Sequence, residues 1–328
     1  MSGRFVLPLL LVFTPLCLLL ALAVGSVPIE PGVIWDTLLG AFTSDNHSLP
    51  SALILELRLP RALSAFATGG LLALAGALMQ VLLRNPLADP YILGISGGAA
   101  VGALLSLLLG LGGGWLTGNA FVGALLSMLL VFGLAHGRGS WSPLRLLLTG
   151  VVVAAGWGAV ISFILAIAPE RGLHGMLFWL MGDLSHTPPP QWGLIITVLG
   201  LLACLPFARD LNVLARGELA ASALGVSVKR LRLMLYLVAS LLTATAVTIA
   251  GSVGFVGLVI PHLLRLLGLT DHRRLLPAAV LAGGSLLVLA DTVARSAIAP
   301  QQLPVGVITA LLGVPVFLVL LHRRGTRL

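Results

Sequence analysis

The chain has 328 residues, of which 58% are hydrophobic and only 9% are charged, whereas a typical soluble domain has about 25% charged residues. Together with a mean hydropathy of +1.09, this composition excludes a soluble globular protein and indicates a polytopic membrane protein. The 19 lysines and arginines exceed the 11 acidic residues and give a net charge of +8, but they are dispersed between apolar segments, which argues against a nucleic-acid partner.

Ten apolar segments follow one another along the chain, each close to the length that crosses about 30 Å of hydrocarbon as a helix. The first also has features of a secretory signal, because it follows Arg4 and Ala21-Leu22-Ala23 resembles a cleavage site. Its apolar run is long for such a signal, so we predict an uncleaved helix. Cys17 and Cys204 lie inside apolar runs and indicate neither a disulfide nor a metal site. The predicted helices are 5–25, 61–82, 92–111, 118–135, 145–168, 192–208, 231–250, 253–269, 277–294 and 303–321.

The distribution of basic residues orients these helices. If the N-terminus is cytoplasmic, all but four of the 19 lysines and arginines lie on the cytoplasmic side. This asymmetry is typical of the positive-inside rule, and an even number of helices places both termini in the cytoplasm. The four basic residues on the outer side are Arg58, Arg61, Arg171 and Arg295.

Two outer segments are long enough to form structure of their own. Segment 26–60 has helical patterns around Val33–Phe42 and Ser51–Leu57. Segment 169–191 contains the apolar piece Leu173–Met181, which is too short to span and is predicted to lie at or re-enter the membrane interface.

The largest predicted cytoplasmic loop comprises residues 209–230. Its apolar residues recur at about helical spacing, and two glycines interrupt them. The loop therefore predicts one or two short amphipathic helices on the cytoplasmic face. The apolar residues are Leu211, Leu214, Leu219 and Ala223, and the glycines are Gly217 and Gly225.

Residues 84–91 cannot form a regular helix because they include Pro86 and Pro90. They are either a plain turn between helices or irregular backbone enclosed by protein or lining a watery cavity. Small residues recur every four positions in 65–77 and 94–102, which predicts close helix packing.

The few ionisable residues within the predicted spans do not form a chain of carboxylates suited to proton or sodium coupling. Asp291 and Arg295 are spaced for an i, i+4 pair, and His262 after Pro261 is either a packed residue or a ligand. The sequence has no Gly-Lys-Ser or Gly-Lys-Thr phosphate loop, so nucleotide hydrolysis would require a partner. It also has no nucleophile elbow or zinc motif, and an enzymatic role has no support.

Several strings occur together in a characteristic order between about residues 55 and 322. In this combination they resemble the FecCD-type permeases of binding-protein-dependent ABC importers, which carry ferric siderophores, haem or cobalamin. The strings are Arg58-Leu59-Pro60-Arg61, the run from Gly76 through Asn85-Pro86-Leu87-Ala88-Asp89-Pro90 to Ala99, Gly254-Phe255-Val256-Gly257 through Pro261-His262, Asp271-His272-Arg273, and Leu303-Pro304-Val305-Gly306.

The resemblance implies an all-α polytopic membrane protein of about ten helices with the type II ABC importer permease fold. It implies a single transmembrane domain over 1–328, located in the inner membrane of a bacterium. The expected partners are a second copy of the chain, two cytoplasmic ATP-binding subunits, a periplasmic substrate-binding protein and membrane lipid, with no nucleic acid. No cofactor is expected in this chain, since ATP and magnesium would bind to the partner ATPase.

The resemblance also assigns roles to particular residues. The cytoplasmic loop would contact the ATPase, unless it is only an interfacial helix at the lipid surface, and Ala221 would provide close contact. The stretch 139–145 would form the inner gate, although its Gly-Ser-Trp-Ser-Pro-Leu departs from the small hydroxyl residues of related permeases. The outer arginines would form a basic socket for the binding protein, or else anchor lipid headgroups. The assigned residues are Gly217, Glu218, Ala221, Leu224 and Gly225 for coupling, Ser142 and Pro143 for the gate, and Arg58, Arg61 and Arg295 for docking.

The predicted function is therefore ATP-driven import of a metal chelate, namely cobalamin, haem or a ferric siderophore. The sequences at 268–273 and 314–318 resemble the corresponding sequences of cobalamin permeases, and this resemblance slightly favours cobalamin as the substrate. The alternative is an ion-coupled secondary transporter of a small solute, which would be expected to show coupling carboxylates in broken helices.

Overall fold

A computed structural model of the protein describes residue 3 and residues 5–25, 27–40, 48–135, 142–185 and 188–325. Within these ranges all regular structure is helical. Seven helical stretches are long and apolar enough to cross a membrane, and three shorter apolar helices accompany them. The prediction of an all-α protein with about ten spanning helices is confirmed.

Shorter helices lie between most of the seven long helical stretches. A π-helical segment, Leu53–Arg58, joins α3 to α4, and short 3₁₀ segments occupy Pro90–Leu93 and Leu205–Phe207. In the described residues the α-helices are α1 (Val6–Ala23), α2 (Pro31–Gly40), α3 (Leu49–Ala52), α4 (Leu59–Leu82), α5 (Ile95–Leu108), α6 (Gly114–Ala135), α7 (Pro143–Ile167), α8 (Glu170–Met181), α9 (Pro190–Cys204), α10 (Ala208–Leu214), α11 (Glu218–Ala223), α12 (Val228–Ala250), α13 (Val256–Leu266), α14 (His272–Ser296) and α15 (Val305–Gly325).

The second spanning helix begins earlier than the sequence predicts. α3, the π-helical segment and α4 form one continuous helical stretch, Leu49–Leu82. The change from π- to α-helical hydrogen bonding falls just before Pro60, which has no N–H to donate. The helix predicted around Ser51–Leu57 is thus the outer end of this stretch. The other helix predicted in the outer segment corresponds to α2, and residues 41–47 lie outside the described residues.

Helix α4 lies at the centre of the bundle and packs against α9, α12, α13 and α14. It is buried along most of its length because small residues let neighbouring backbones approach closely. A Cβ atom added at Gly69 would overlap the Gly283 carbonyl of α14, and one at Gly76 would overlap the Gly257 carbonyl of α13. Close packing at the four-residue repeat of small residues is therefore as predicted.

The irregular residues 83–94 begin at an exposed turn, Arg84 and Asn85, and their second half, 88–94, is packed against the protein. The Asp89 carboxylate accepts a hydrogen bond from the Tyr91 backbone N–H at 2.7 Å and caps the 3₁₀ segment. The Tyr91 hydroxyl accepts a hydrogen bond from the Val253 backbone N–H at 3.1 Å, in the break between α12 and α13. Two helix breaks from distant parts of the sequence thus contact each other, which satisfies backbone groups that a broken helix leaves free.

Candidate docking and coupling sites

The structure brings together the three outer arginines that the sequence assigns to docking. Arg58 lies at the end of the π-helical segment, Arg61 in the first turn of α4 and Arg295 in the last turn of α14. All three line one cavity of about 380 Å³, which Glu56 and Gln302 also line. A basic cluster therefore exists at the predicted outer side.

Two of these arginines are buried against the end of α1. Arg58 donates hydrogen bonds to the carbonyl oxygens of Leu22, at 2.6 Å, and Ala23, at 3.1 Å, and Arg295 donates one to the carbonyl oxygen of Ala21. The last carbonyls of a helix have no partner within it and lie at the negative end of its dipole. Arg58 and Arg295 therefore cap α1 and attach it to α4 and α14.

The third arginine, Arg61, forms a bidentate ion pair with Asp291 of α14. Its Nε lies 3.0 Å from Asp291 Oδ2 and its Nη2 lies 2.8 Å from Oδ1. Arg295 Nε is 3.7 Å from Asp291 Oδ2, so the predicted i, i+4 pair is present but is the longer of the two contacts. Two guanidinium groups share Asp291 and the third, that of Arg58, bonds backbone carbonyls, so the three arginines exceed the acidic charge at the site. Its role in docking a binding protein stays a prediction.

The start of the predicted cytoplasmic loop, α10, continues the preceding spanning helix as one helical stretch, Pro190–Leu214, and the loop then forms the short helix α11. Gly217 precedes α11 with φ +130°, and Gly225 follows it with φ +79°. Both values favour glycine, so the two glycines set the limits of the helix. The apolar side chains on α11 and just after it are exposed, Leu219 at 89% and Leu224 at 66%.

One residue of the predicted coupling surface, Ala221, faces the bundle. The Ala221 side chain is fully buried and packs in the main hydrophobic core, so it does not lie on a face that a partner protein can contact. In a helix of six residues only one side faces the bundle, and here that side is Ala221. We therefore place the free surface of α11 on Leu219 and Leu224.

Helix α10 is attached to the second half of the chain at the start of α14. The Asn212 side chain accepts a hydrogen bond from the His272 backbone N–H at 2.9 Å and donates one to the Asp271 carboxylate at 2.7 Å. The bond from Asn212 and one from the Arg273 backbone lower the pKa of Asp271 below its usual value. Asp271 remains ionised at neutral pH and caps α14, so the base of the loop is fixed.

The predicted gate residues lie where α7 begins. Ser142 caps the helix by accepting a hydrogen bond from the Arg145 backbone N–H at 3.2 Å, and Pro143 is its first residue. Residues 139–141 of the predicted gate lie outside the described residues. Ser142, Pro143 and Glu218 of α11 line one cavity of about 520 Å³, so the gate and coupling residues meet there. Their assignment to gating and coupling stays a prediction.

Helix α7 is the least buried of the long described helices. Of its small residues, Gly150 is buried against the Ile92 carbonyl, whereas Ala155 and Gly158 are exposed. An apolar helix with so much exposed surface requires lipid or a second protein against it.

Sequence reasoning missed the polar links between helices. Gln80 of α4 donates a hydrogen bond to the Leu258 carbonyl at 3.1 Å and accepts one from Arg265 of α13. His262 is buried in α13. Gln80, Leu258 and His262 all lie in the strings that carry the family resemblance, which was the only available signal that these distant segments meet.

The long apolar helices define a polytopic membrane protein, with a basic cluster near one end of the bundle and a short exposed helix near the other. The chain matches the FecCD transport family over residues 10–323, and it belongs to that family. It is therefore a component of a transporter and not an enzyme.

Individual relatives cover nearly the whole chain. The ABC transporter permease protein YvrB of Bacillus subtilis, described as uncharacterized, is 40% identical, with 96% of this chain and 94% of the relative covered. The vitamin B12 import system permease protein BtuC of Klebsiella pneumoniae is 41% identical, with 98% and 94% covered. A solved metal-chelate type ABC transporter in an inward-facing conformation has a TM-score of 0.84 and 31% identity, with 97% of this chain and 98% of that chain covered.

Proposed function

We propose that this chain is the permease subunit of an ATP-driven importer that moves a metal chelate, most specifically cobalamin, from a periplasmic binding protein to the cytoplasm. The observation that carries the proposal is α11, a short helix that presents Leu219 and Leu224 to solvent beside the cavity of the predicted gate. A surface of this kind fits a cleft in a cytoplasmic ATPase, which would supply the energy that the permease does not itself generate.

The proposed assembly contains two copies of this chain in the cytoplasmic membrane of a bacterium. The exposed apolar face of α7 would lie along the path between the two copies, and each copy would contact one ATPase subunit through α11. ATP and magnesium would bind to those subunits. The outer arginine cluster, with its surplus of positive charge, would orient an acidic surface of the binding protein, and at a wet rim this attraction would steer docking more than it adds affinity.

An ion-coupled secondary transporter is the competing function. The feature that favours it is Asp89, a carboxylate within a helix break. However, Asp89 accepts a hydrogen bond from the Tyr91 backbone N–H and serves as a helix cap. Asp291, within α14, is held by Arg61. Both carboxylates thus already have structural partners, which favours the ATP-driven importer.

The substrate is tested by reconstituting the permease with its ATPase and binding protein in vesicles. We expect saturable, ATP-dependent uptake of radiolabelled cyanocobalamin that unlabelled cobalamin suppresses and that haem and a ferric siderophore do not. Uptake of haem or the ferric siderophore without uptake of cobalamin would reject cobalamin as the substrate while retaining an importer of metal chelates. Vesicles that contain a catalytically inactive ATPase provide the control.

A further inference from the structure

The cavity near the predicted gate contains an ionic cluster that the proposed function does not use. Three parts of the chain contribute to it: Arg84, which follows α4, Glu218 of α11, and Arg232 of α12. Ser142 and Pro143, at the start of α7, line the same cavity of about 520 Å³. The charged groups of the cluster are therefore placed between the coupling helix and the gate.

A single carboxylate oxygen holds the cluster together. Glu218 Oε1 accepts a hydrogen bond from Arg232 and lies 3.2 Å from Arg84 Nη2. Arg232 is almost fully buried, whereas the side chain of Arg84 is 44% exposed. Both guanidinium groups therefore converge on one atom, and Glu218 links α11 to α12 and to the residues that follow α4.

Two further observations distinguish this cluster from a surface ion pair. The backbone of Arg84 has φ +48°, a conformation that favours glycine and is costly for a residue with a side chain. The Arg232 Nε is buried and has no hydrogen-bond partner among the described residues, so Glu218 is the one described acid that balances this buried charge.

We propose that Glu218 is the positioning residue that transmits displacement of α11 to the gate end of α7, through Arg84 and Arg232. The proposal rests on the proposed function. The other attachment of α11 to the bundle is the apolar contact of Ala221, which has no preferred direction. Charge-assisted hydrogen bonds are directional, so the Glu218 cluster is the contact suited to move the residues around the gate.

The test measures the amount of substrate imported per ATP hydrolysed by the reconstituted complex. Glu218→Gln keeps the size of the side chain and an acceptor for Arg232 but removes the charge. In complexes that assemble, we expect the import per ATP hydrolysed to fall by about tenfold. Asp210→Asn, in the same loop and without an ion pair among the described residues, is the matched control and should leave the ratio unchanged.

Arg84→Gln supplies a second, independent variant, because Arg84 is partly exposed and its loss leaves the buried Arg232–Glu218 pair intact. It should also lower import per ATP, and combining it with Glu218→Gln should add little, since both changes interrupt the same link. If Glu218→Gln does not assemble, Arg84→Gln decides the test.

An unchanged ratio of import to ATP hydrolysis in these variants, or fully additive losses in the double variant, would overturn the proposal. A different result, the absence of ATP-dependent import by the unmodified complex, would contradict the proposed function itself.

Discussion

Replacing Leu219 with aspartate is expected to abolish import while leaving the permease folded. The Leu219 side chain is 89% exposed on α11, so the change disturbs no internal packing. At the centre of a partner interface a buried charge costs about 2 kcal/mol or more, which weakens binding by about thirtyfold or more. The measurement is co-purification of the ATPase with the permease in detergent, followed by import in vesicles.

Two further variants test whether the effect is specific to the exposed side of α11. Leu49→Asp changes a leucine that is 79% exposed at the predicted outer end, and ATPase co-purification should be normal. Ala221→Trp inserts a bulky side chain into a fully buried position and should lower the yield of folded permease. Normal co-purification and import of Leu219→Asp would show that α11 is not the ATPase contact.

Replacing Arg58 with leucine is expected to destabilise the outer end of the bundle strongly. The buried Arg58 guanidinium bonds the carbonyls of Leu22 and Ala23, and without it the Leu22 carbonyl would lose this bond and Ala23 would keep only the one from the Ile29 N–H. The loss corresponds to about 2–4 kcal/mol, measured as a lower thermal unfolding temperature of the purified permease. Arg171→Leu, on the exposed face of α8 at the same predicted side, is the control and should unfold at the normal temperature.

A binding measurement on a second variant tests the predicted docking role of the arginines. Arg61 retains 15% side-chain exposure, and its Nη1 donates a hydrogen bond to Gln302 at 2.7 Å. If the cluster docks the binding protein, Arg61→Gln should weaken that complex, and salt should weaken the unmodified complex. Lower thermal stability of Arg61→Gln with unchanged affinity at every salt concentration would instead assign Arg61 to joining α4 to α14.

The spanning helices were predictable because their signal is local. Lipid requires an apolar helix of about 20 residues, and glycine or proline interrupts it, so α10 and α11 also followed from the spacing of their leucines and from Gly217 and Gly225. The sequence did not predict that the second span continues outward through Arg58. A proline and two arginines within four residues, Arg58 to Arg61, are the usual local signal for the end of a spanning helix.

The partners of the charged residues depend on tertiary packing and were not predictable in the same way. Asp291 was paired with Arg295 on the same helix, yet its shorter contact is with Arg61, which is 230 positions away in the sequence. The family resemblance assigned Ala221 a close contact with the ATPase, but it could not show that this residue is on the side of α11 that meets the bundle. Glu218 was assigned to the coupling helix, but its two arginine partners lie in other helices or loops.

The most direct test of the proposed ATP-driven import is the energy source for transport by the reconstituted permease. Vesicles that contain the permease, its ATPase and its binding protein are loaded with ATP or placed under a proton or sodium gradient, and accumulation of labelled cobalamin is followed. We predict accumulation with ATP and none with either gradient, and none when the ATPase is omitted. Accumulation driven by an ion gradient in vesicles that lack the ATPase would contradict the proposed function.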